Sequence, residues 1–519
     1  MFTVAFLTGI YSYIIFILGI LNKLYSGHIL LFTFAYLVLC VVLFRIRIKD
    51  FYLKIKKRTI RLHNLPKLFF SLIIIQCLIN FIGALGPELS FDALWYHLTL
   101  PKLFFEQHSI FFIQGNLLYY SLFPKLGEML YIASLSINGE ILAKILHYTF
   151  GILTLLVIYK ISKKFLNNVF STLACLIFSS NLVFAWQSTT AYIDLFRTFF
   201  EVLALWAFLN KDTVKSAVSL GFAISTKLSA IGSIPIFAVL YLIFDKKNFR
   251  SIILFTLLAL IIPSPWFIFS FINSGRLFYP LFTDLYPDQL ILNVSPLDIV
   301  VDFFKLFLYS PDPISPLYLI LLPVVFILYK KLNRHLKILA VYSLLSLIIW
   351  YFIPRTGGGR FILPYLPAFS ILSAGVIFYL DMRMRKFLLI IAVLIALTTI
   401  FYRGATNAKF VPVIIGSETK EHFLSVRLNF NFGDFYDIDS YFAKNLTSSD
   451  RVLLYGFHNL YYVEFPFIDS SWIKRGDRFN YIATQNIQLP DRFKDWMLIY
   501  YNKVTGVKLF THNKTVWIY

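Results

Sequence analysis

Residues 87–131 read PELSFDALWYHLTLPKLFFEQHSIFFIQGNLLYYSLFPKLGEMLY. This stretch is the longest interruption of the apolar pattern in the first half of the chain, and it directly follows a hydrophobic segment. Charged and titratable side chains are concentrated in it: Glu88, Asp92, His97, Lys102, Glu106, His108, Lys125 and Glu128. We therefore look for the chemistry here and interpret most of the remaining sequence as a frame around it.

The composition places the chain in a membrane. Of its 519 residues 58% are apolar and only 14% are charged, with a mean hydropathy of +0.72, which lies far from the averages of soluble proteins. Lys and Arg outnumber Asp and Glu by 48 to 27, but they occur in short runs between apolar segments. That pattern is typical of cytoplasmic membrane loops and not of a nucleic-acid-binding surface. The three cysteines lie in apolar segments and predict neither a disulfide framework nor a metal site.

A membrane helix needs about 20 mostly apolar residues. By that criterion the sequence predicts about thirteen transmembrane helices, the first being a retained span and not a cleaved signal peptide. They lie near residues 2–22, 29–46, 67–86, 139–159, 169–186, 192–210, 215–231, 232–245, 251–272, 314–329, 337–353, 361–380 and 387–402.

The distribution of basic residues predicts the orientation. With the N-terminus in the cytoplasm, the inner loops carry most of the Lys and Arg, beginning with nine in residues 45–67. The outer loop 87–138, the loop 273–313, the turn around Arg355–Arg360 and all residues after about 403 then face the outside. We predict three units: a transmembrane pair with a basic loop (1–66), a transmembrane catalytic core (67–402) and an extracytoplasmic domain (403–519).

The last unit has the composition of a small α/β domain, because polar residues return and no long apolar run remains. Residues 417–422 and 435–446 predict helices, and residues 451–457 and 497–502 predict short buried strands. Residues 507–519 predict a hairpin with its turn at His512–Lys514. The overall fold class is therefore an all-α polytopic membrane protein with a small α/β C-terminal domain.

Glu88, Asp92 and Tyr96 are spaced by four residues and would share one helix face, with His97 beside them, if Ser90 or a neighbour caps a helix here. A carboxylate at the membrane boundary can take a proton from an acceptor hydroxyl within hydrogen-bond reach. The alternative is a solvated interfacial helix whose acid pairs with a lysine such as Lys102.

Glu128 and Lys125 precede the next apolar segment in the motif FPKLGEMLY. A second acid near the first could shape the site, position an acceptor or bind a divalent metal ion, although the ligand spacing of a known metal motif is absent. No cofactor is predicted beyond that metal. The alternative is a charge pair at the membrane surface.

Several charged residues fall inside predicted spans, namely Asp194 and Arg197 in TAYIDLFRTFF, Glu201 one turn later and Lys227 in GFAISTKLSAI. Each costs several kcal/mol in the bilayer unless it is paired or hydrated, so such residues indicate a functional site by default. The alternative is that Asp194 and Arg197 neutralise each other.

Three arginines lie in predicted outer loops: Arg276, Arg355 and Arg360. Arg360 follows three glycines, whose backbone could admit a bulky anion, and a guanidinium binds phosphate oxygens in a bidentate manner. The alternative is a loose connector with Arg360 extending to the membrane surface. The high aromatic content is that of lipid-facing and interfacial residues, and the sequence predicts no aromatic sugar-binding surface.

Six segments resemble, in order and in predicted sidedness, the GT-C superfamily of polytopic glycosyltransferases, and above all its bacterial branch akin to protein O-mannosyltransferases and the lipid A aminoarabinose transferase. They are FDALWYHLTLPKLFFEQHSI, FPKLGEMLY, TAYIDLFRTFF, GFAISTKLSAI, IIPSPWFIFSFINSGRLFYPLF and GGGRFILPYLPAFSIL. The resemblance covers residues 67–402 and, more loosely, the C-terminal unit.

The resemblance implies transfer of a sugar from a polyprenyl-phosphate donor on the outer face of the membrane. By this resemblance Asp92 takes the place of the family's outer-loop acid, which acts as base on the acceptor or organises the site. Many members have Glu next, where this chain has Ala93, so Glu128 or Glu88 would have to supply a second carboxylate. Arg360, Arg276 and Lys227 would neutralise the donor phosphate. The predicted substrate-binding set is completed by Tyr96, His97, Lys102, Lys125, Asp194, Tyr279 and Arg355.

Three other functions remain open at this point. A secondary transporter also places charges within spans, but this chain lacks two matching halves. A polysaccharide polymerase or ligase would carry its large loop late in the chain, and a scaffold could keep the fold without the activity. The transferase hypothesis requires Asp92 and the later cations to converge at the outer leaflet, with membrane lipids and an unidentified acceptor as partners and no nucleic acid.

Overall fold

The computed structural model describes residues 1–57, 64–245, 249–285, 295–308, 313–352, 358–512 and 516–519. Within these ranges the chain forms a helical bundle followed by a small domain that contains the strands. The helices are α1 Phe2–Ile20, α2 Ser26–Lys57, α3 Asn64–Leu85, α4 Thr99–Glu106, α5 Leu126–Ser162, α6 Asn168–Ser179, α7 Leu182–Gln187, α8 Asp194–Leu209, α9 Thr213–Thr226, α10 Ser233–Phe244, α11 Phe249–Ile261, α12 Ser264–Ser274, α13 Pro296–Leu308, α14 Leu317–Leu328, α15 Arg334–Phe352, α16 Gly358–Ile362, α17 Leu366–Tyr379, α18 Met382–Asn407, α19 Val411–Ile414, α20 Lys420–Arg427 and α21 Tyr441–Asn445.

In the described ranges seven helical segments are long and apolar enough to cross a membrane, or eight if the α11–α12 pair, bent by 52°, is one span. The predicted fold class is thus confirmed, but the number of thirteen spans is not. Each predicted span coincides with one helix or with two successive ones. Five of the matching helices, however, have only 12 to 16 residues (α6, α8, α9, α10 and α14), and helices of that length cross only part of a hydrocarbon layer of about 30 Å.

Two breaks in helices place polar side chains inside the bundle. Helix α5, which begins within the predicted outer loop 87–138, is kinked at Asn138 and at Gly139, whose φ is +67°. After α9 ends at Thr226, Lys227 takes an extended conformation (φ −148°, ψ 119°) and a 3₁₀ turn follows over Leu228–Gly232. The apolar sequence 213–244 is therefore interrupted at Lys227.

Helix α1 ties the bundle to the outer loop, which gives the first span a role that its sequence did not suggest. The Tyr13 hydroxyl contacts the Ser225 hydroxyl of α9 at 2.9 Å. At the other end of α1, the Ile110 amide of the outer loop donates to the Gly19 carbonyl at 3.1 Å. A Cβ at Gly19 would lie 2.5 Å from the Ile110 side chain, so a larger residue at this position would require Ile110 to move.

The C-terminal domain contains the strands β1 Val452–Tyr455, β2 Phe467–Asp469, β3 Arg478–Phe479, β4 Tyr481–Gln485, β5 Met497–Tyr501, β6 Val507–Thr511 and β7 Trp517–Ile518. Five of them form a sheet in the order β2-β1-β4-β6-β5, and β3 pairs with β7 in a separate ladder. Strand β1 is parallel to β2 and β4, whereas β6 is antiparallel to β4 and β5. The predicted small α/β domain is therefore present.

Two details of the C-terminal prediction are wrong. Strands β6 and β7 do not form a hairpin, because β4 and β5 already occupy both edges of β6 and β7 pairs with β3 instead. Asn513 and Lys514 of the predicted turn lie outside the described residues. Strand β5 is mostly exposed, since it forms an edge of the sheet, although its apolar sequence predicted a buried strand.

The C-terminal domain packs directly on the outer loop, so both lie at one end of the bundle. Lys102 donates to the carbonyl oxygens of Tyr461 (2.9 Å) and Val463 (2.5 Å). Glu140, just after the α5 kink, accepts from Lys420 at 2.7 Å and from the Tyr461 hydroxyl at 3.2 Å. These contacts position the loop that carries Asp92.

Candidate active site

Asp92 and Arg360 form an ion pair through Oδ2 and Nη1. Asp92 begins a π-helical turn over Ala93–His97, and the Tyr96 hydroxyl donates to the same Oδ2 at 3.1 Å. Arg360 lies in the short helix α16, directly after the glycine run. The structure thus joins the acid of the outer loop to the arginine of a late segment.

Asp194 holds the two cations of this cluster. Its Oδ2 accepts from Arg360 Nε at 2.8 Å, and its Oδ1 accepts from Lys227 Nζ at 2.6 Å. Asp194 is the first residue of α8, and Lys227 occupies the break after α9. Because both carboxylate oxygens are engaged, Asp194 fixes the positions of Arg360 and Lys227.

Solvent reaches the members of this network to different extents. The side chain of Asp194 is 1% exposed, whereas those of Arg360, Lys227 and Asp92 are 12%, 15% and 19% exposed. The buried Asp194 carboxylate therefore supports Arg360 and Lys227 and, through Arg360, Asp92. A substrate can contact these three partly exposed side chains. Charges paired in this way stay in a fixed geometry, and removing one partner leaves a costly unpaired charge.

The pKa of Asp92 is lower than that of an ordinary aspartate. Burial is the largest single influence and raises the pKa, but the Arg360 guanidinium, together with smaller contributions from His97 and Lys227, outweighs it. Asp92 is therefore ionised at neutral pH and can accept a proton.

A second polar cluster, formed by His97, Glu128 and Lys125, is fully buried. His97 Nδ1 and Glu128 Oε1 are 2.9 Å apart, and Lys125 Nζ lies 3.9 Å from the same oxygen. Burial lowers the pKa of His97, against the opposing effect of the Glu128 hydrogen bond. His97 packs on Tyr96 with ring centroids 4.2 Å apart, so this cluster lies behind the Asp92–Tyr96 pair.

Glu88 does not share a helix face with Asp92, and that part of the prediction is wrong. It precedes the helical turn, and its carboxylate accepts from the amides of Leu89 (2.9 Å), Ser90 (2.8 Å) and Ala191 (2.5 Å). Three backbone donors saturate the carboxylate because the chain folds back around it. Glu88 thus links the outer loop to the segment before α8.

Four other predicted residues lie apart from the Asp92 network or cannot be placed. Lys102 is committed to carbonyls of the C-terminal domain, as described above. Arg276 Nη1 donates to the Phe282 carbonyl at 2.6 Å, within its own loop. The ring of Tyr279 packs against that of Phe112, with ring centroids 5.2 Å apart. Arg355 lies outside the described residues.

Sequence reasoning missed two aromatic residues of the site. The Asp92 amide donates to the Tyr192 hydroxyl at 3.3 Å, and the Arg360 guanidinium lies 4.2 Å from the centre of the Tyr192 ring. Lys227 Nζ lies 4.5 Å from the centre of the Phe361 ring. Tyr192 lies two residues before Asp194, and Phe361 directly follows Arg360. Closeness in sequence to these two predicted site residues was the available signal for both aromatics.

Arg197 and Asp194 do not neutralise each other. Arg197 donates to the Ser229 hydroxyl at 2.9 Å and to the Tyr365 hydroxyl at 3.1 Å. Glu201 accepts from the Tyr342 hydroxyl at 2.9 Å. These buried contacts connect α8 to α15 and to the 3₁₀ turn Leu363–Tyr365 before α17, and they provide internal partners for the charges within the bundle.

Among the described residues no group of three or more His, Cys, Asp and Glu side chains is placed to hold a metal ion. The side chains around Asp92 are mainly cations and tyrosines, which do not form a set of metal ligands. No step of the chemistry below is therefore assigned to a metal.

Comparisons with known proteins agree with this architecture. A family model described as dolichyl-phosphate-mannose-protein mannosyltransferase matches residues 129–269, a segment that includes Asp194 and Lys227. Two solved structures of ArnT from Cupriavidus metallidurans align with 85% of this chain and 97% of their own. The one bound to undecaprenyl phosphate is 14% identical with a TM-score of 0.58, and the apo form is 12% identical with a TM-score of 0.56. A sequence search of the curated proteins finds no match.

At these identities the structural likeness establishes the fold. The chain has the GT-C fold that its six sequence segments predicted. The family model covers well under half of the chain and contains neither Asp92 nor Arg360. The roles of those two residues therefore depend on their own geometry.

Proposed function

We propose that the protein is a membrane glycosyltransferase that moves a sugar from a polyprenyl-phosphate donor to an envelope acceptor on the outer face of the cell membrane. The observation that carries this proposal is the network in which Asp92 and Arg360, from distant parts of the chain, share one solvent-accessible site with Lys227 and Asp194. The description of the matching family model and the GT-C fold agree with it.

Arg360 and Lys227 bind the donor phosphate in this proposal. Arg360 uses Nε and one Nη for the two aspartates, which leaves its second Nη for a phosphate oxygen, and the ammonium of Lys227 has further donors beyond the one given to Asp194. Cations held in place before the reaction stabilise negative charge that grows on a leaving group. Here that group is the phosphate released from the anomeric carbon.

Asp92 acts as the general base. The acceptor hydroxyl loses its proton to the Asp92 carboxylate while its oxygen bonds to the anomeric carbon, and the bond from that carbon to the phosphate oxygen breaks with its electron pair on the phosphate. Attack from the opposite face inverts the anomeric centre, so the reaction needs one base and no covalent intermediate. The products are the glycosylated acceptor and polyprenyl phosphate.

Donor binding also activates the base. Without donor, Arg360 holds Asp92 in an ion pair, which makes the carboxylate a weak base. A phosphate that competes for the guanidinium weakens this pair and raises the proton affinity of Asp92. The base thus becomes effective when the sugar is present.

Glu128 serves as a positioning residue in this proposal, since it is 1% exposed and bonded to His97. Lys125, which shares that buried cluster, and His97 then support Tyr96 and Asp92 from behind. Ala93 stands where many family members have Glu. If Asp92 is the only base, the reaction does not require a second carboxylate at that position.

The main test measures release of polyprenyl phosphate by purified protein in liposomes supplied with polyprenyl-phosphate hexoses and pentoses and with an envelope extract as the acceptor source. Asp92→Asn should lower turnover about 100-fold or more. Glu106→Gln, a more exposed acid of the same loop, is the matched control and should leave turnover unchanged. Full turnover by Asp92→Asn would remove the proposed base.

The proposed orientation has its own test. Ser449 and Lys331 are exposed and belong to the C-terminal domain and to a predicted inner loop, respectively. A membrane-impermeant maleimide added to intact cells should label Ser449→Cys and not Lys331→Cys. The reverse pattern would place the site on the cytoplasmic side.

A further inference from the structure

Four aromatic rings from two parts of the chain form one cluster of mutual contacts, here called the aromatic wall: Phe91 and Trp95 of the outer loop, and Phe432 and His458 of the C-terminal domain. The His458 ring stacks on Phe91 with centroids 4.9 Å apart and planes inclined by 21°, and it lies 4.9 Å from Trp95. The ring centroid of Phe432 lies 5.2 Å from that of Phe91 and 5.7 Å from that of His458. Each half of the wall is incomplete without the other.

The aromatic wall adjoins the proposed base. Phe91 directly precedes Asp92, and Trp95 contacts the ring of Tyr96 at 5.1 Å. The Tyr96 hydroxyl in turn donates to Asp92 at 3.1 Å. A molecule lying on the wall therefore has its edge close to the carboxylate.

The backbone holds the wall in place. His458 donates its amide to the Gly433 carbonyl at 2.9 Å, and Gly433 has φ +95°, where a Cβ would come within 2.9 Å of that same amide nitrogen. The next residues are joined side chain to side chain, Asn459 to Asp434 at 2.5 Å. On the loop side, the Trp95 indole donates to the Leu117 carbonyl at 2.6 Å. Such fixation is a property of binding sites more than of mobile surface loops.

The wall has an accessible face and an unused polar atom. Phe432 is 57% exposed, and Phe91, Trp95 and His458 are partly exposed. Within the described part of the chain, the buried Nε2 of His458 has no hydrogen-bond partner. A ligand on this surface could supply that partner once the His458 ring turns outward, because Nε2 is buried in this conformation.

We propose that the aromatic wall binds a sugar ring of the acceptor, so that the accepting hydroxyl belongs to a neutral glycan or to the glycan of a glycolipid. This inference rests on the proposed transferase function. The C–H groups of a pyranose face carry partial positive charge, which the negative face of an aromatic ring attracts. The hydroxyls at the ring edge then meet Asp92 and, once the His458 ring turns toward the ligand, Nε2 of His458.

Charge supports a neutral ligand over an anionic one. Burial lowers the pKa of His458, against the opposing effect of Asp92, so its imidazole is neutral at pH 7. The charged neighbour of the wall is a carboxylate, and Lys102 of the same loop is committed to backbone carbonyls. An acceptor phosphate at this point would have to compete with the donor phosphate for Arg360, the cation that is paired with Asp92.

The test uses saturation-transfer NMR on the full-length protein in nanodiscs. The probes are methyl glycopyranosides of mannose, galactose and N-acetylglucosamine, and a short peptide containing serine and threonine. At least one glycoside should give a signal that falls about fivefold in Phe432→Ala. His458→Ala should lower it as well, and His458→Gln should restore part of it through its amide. Tyr501→Ala, which removes a comparably exposed aromatic from β5 of the same domain, should not change it.

Undecaprenyl phosphate binding, measured in parallel, separates this inference from the proposed function. If the lipid binds but no glycoside does, or if the glycoside signal survives both Phe432→Ala and His458→Ala, the sugar-binding role of the wall is wrong while the transferase remains. A peptide signal lost in Phe432→Ala would replace the glycan by a protein acceptor. If undecaprenyl phosphate fails to bind, the proposed function fails, and the glycoside signal alone decides whether the wall binds sugars.

Discussion

The Asp92 carboxylate and the Arg360 guanidinium form an ion pair although 268 residues separate them in the chain. Asp194, on a third segment, holds the same guanidinium through Nε. One arginine thus links a residue that a substrate can reach to a residue that it cannot. The consequence is a site whose proposed base is restrained until an anion competes for Arg360.

Arg360→Ala should weaken binding of undecaprenyl phosphate about 10- to 100-fold, because a hydrogen bond between charged groups is worth about 1.5–3 kcal/mol. Arg360→Lys should recover only part of that loss, since an ammonium keeps the charge and lacks the planar fork. The measurement is the Kd of purified protein in nanodiscs, with the melting temperature as a control for folding.

Arg276→Ala serves as the comparison for this prediction. Its guanidinium is bonded to Phe282 within its own loop, so its loss should raise the Kd much less than the loss of Arg360. Equal effects would place the phosphate between the two arginines. An unchanged Kd in Arg360→Ala would exclude Arg360 from donor binding.

The pH dependence of turnover should differ between free and donor-bound protein. In the free protein the cations around Asp92, chiefly Arg360, together lower its pKa more than burial raises it, so the acid limb of kcat/KM for the donor should lie below the ordinary aspartate range. In the complex the phosphate shares Arg360, which raises the pKa of Asp92 and moves the acid limb of kcat to higher pH. Initial rates measured between pH 3.5 and 8 test this, and coincident limbs would show that the donor leaves the Asp92–Arg360 pair intact.

The site could be predicted from the sequence as far as charge and sidedness carry information. Asp92 and Arg360 fall in loops that the distribution of Lys and Arg assigns to one side of the membrane, and Asp194 and Lys227 stand out because charges in apolar segments are costly. The pairing among these four residues was not predictable, since it depends on how α8, the break after α9 and α16 pack together.

Among the aromatic partners, Tyr192 could be suspected only from its closeness to Asp194 in the sequence, and those of the C-terminal domain could not be suspected at all. With 57 Phe and 32 Tyr in the chain, neither Tyr192 under Arg360 nor Phe432 and His458 beside Asp92 differ in sequence from lipid-facing or core aromatics. The same limit applies to the number of spans, because hydropathy does not distinguish a full crossing from a short helix packed inside the bundle, such as α9.

Glu140→Gln should loosen the contact between the C-terminal domain and the bundle. Glu140 accepts from Lys420 and Tyr461, and the Lys420 side chain is 41% exposed, so solvent screens the pair and the expected cost is about 1 kcal/mol or less. Limited trypsin digestion should then cut faster at Lys409 or Lys420. Asp212→Asn, which breaks the exposed pair with Lys215, is the control, and equal digestion rates would show that Glu140 does not hold the domain.

Asp469→Asn should stabilise the protein at alkaline pH. Asp469 is 3% exposed in β2, and burial raises its pKa to about 6, against the opposing hydrogen bond from the Ser471 amide. Since the folded pKa lies above the ordinary value, the folded state favours the protonated carboxyl. Its stabilising effect is complete below about pH 4 and is lost as the pH rises through 6.

The asparagine keeps an oxygen for Ser471 and does not ionise, so the variant should exceed the natural chain in free energy of unfolding by up to about 3 kcal/mol at pH 8, with a gain that shrinks toward pH 4. Tryptophan-detected melting of the full-length protein in detergent at pH 8 and pH 5 measures this. The exposed Asp491→Asn in the same domain should leave both melting temperatures unchanged. If the two proteins lose stability equally between pH 5 and pH 8, Asp469 does not titrate there, and another group accounts for the loss.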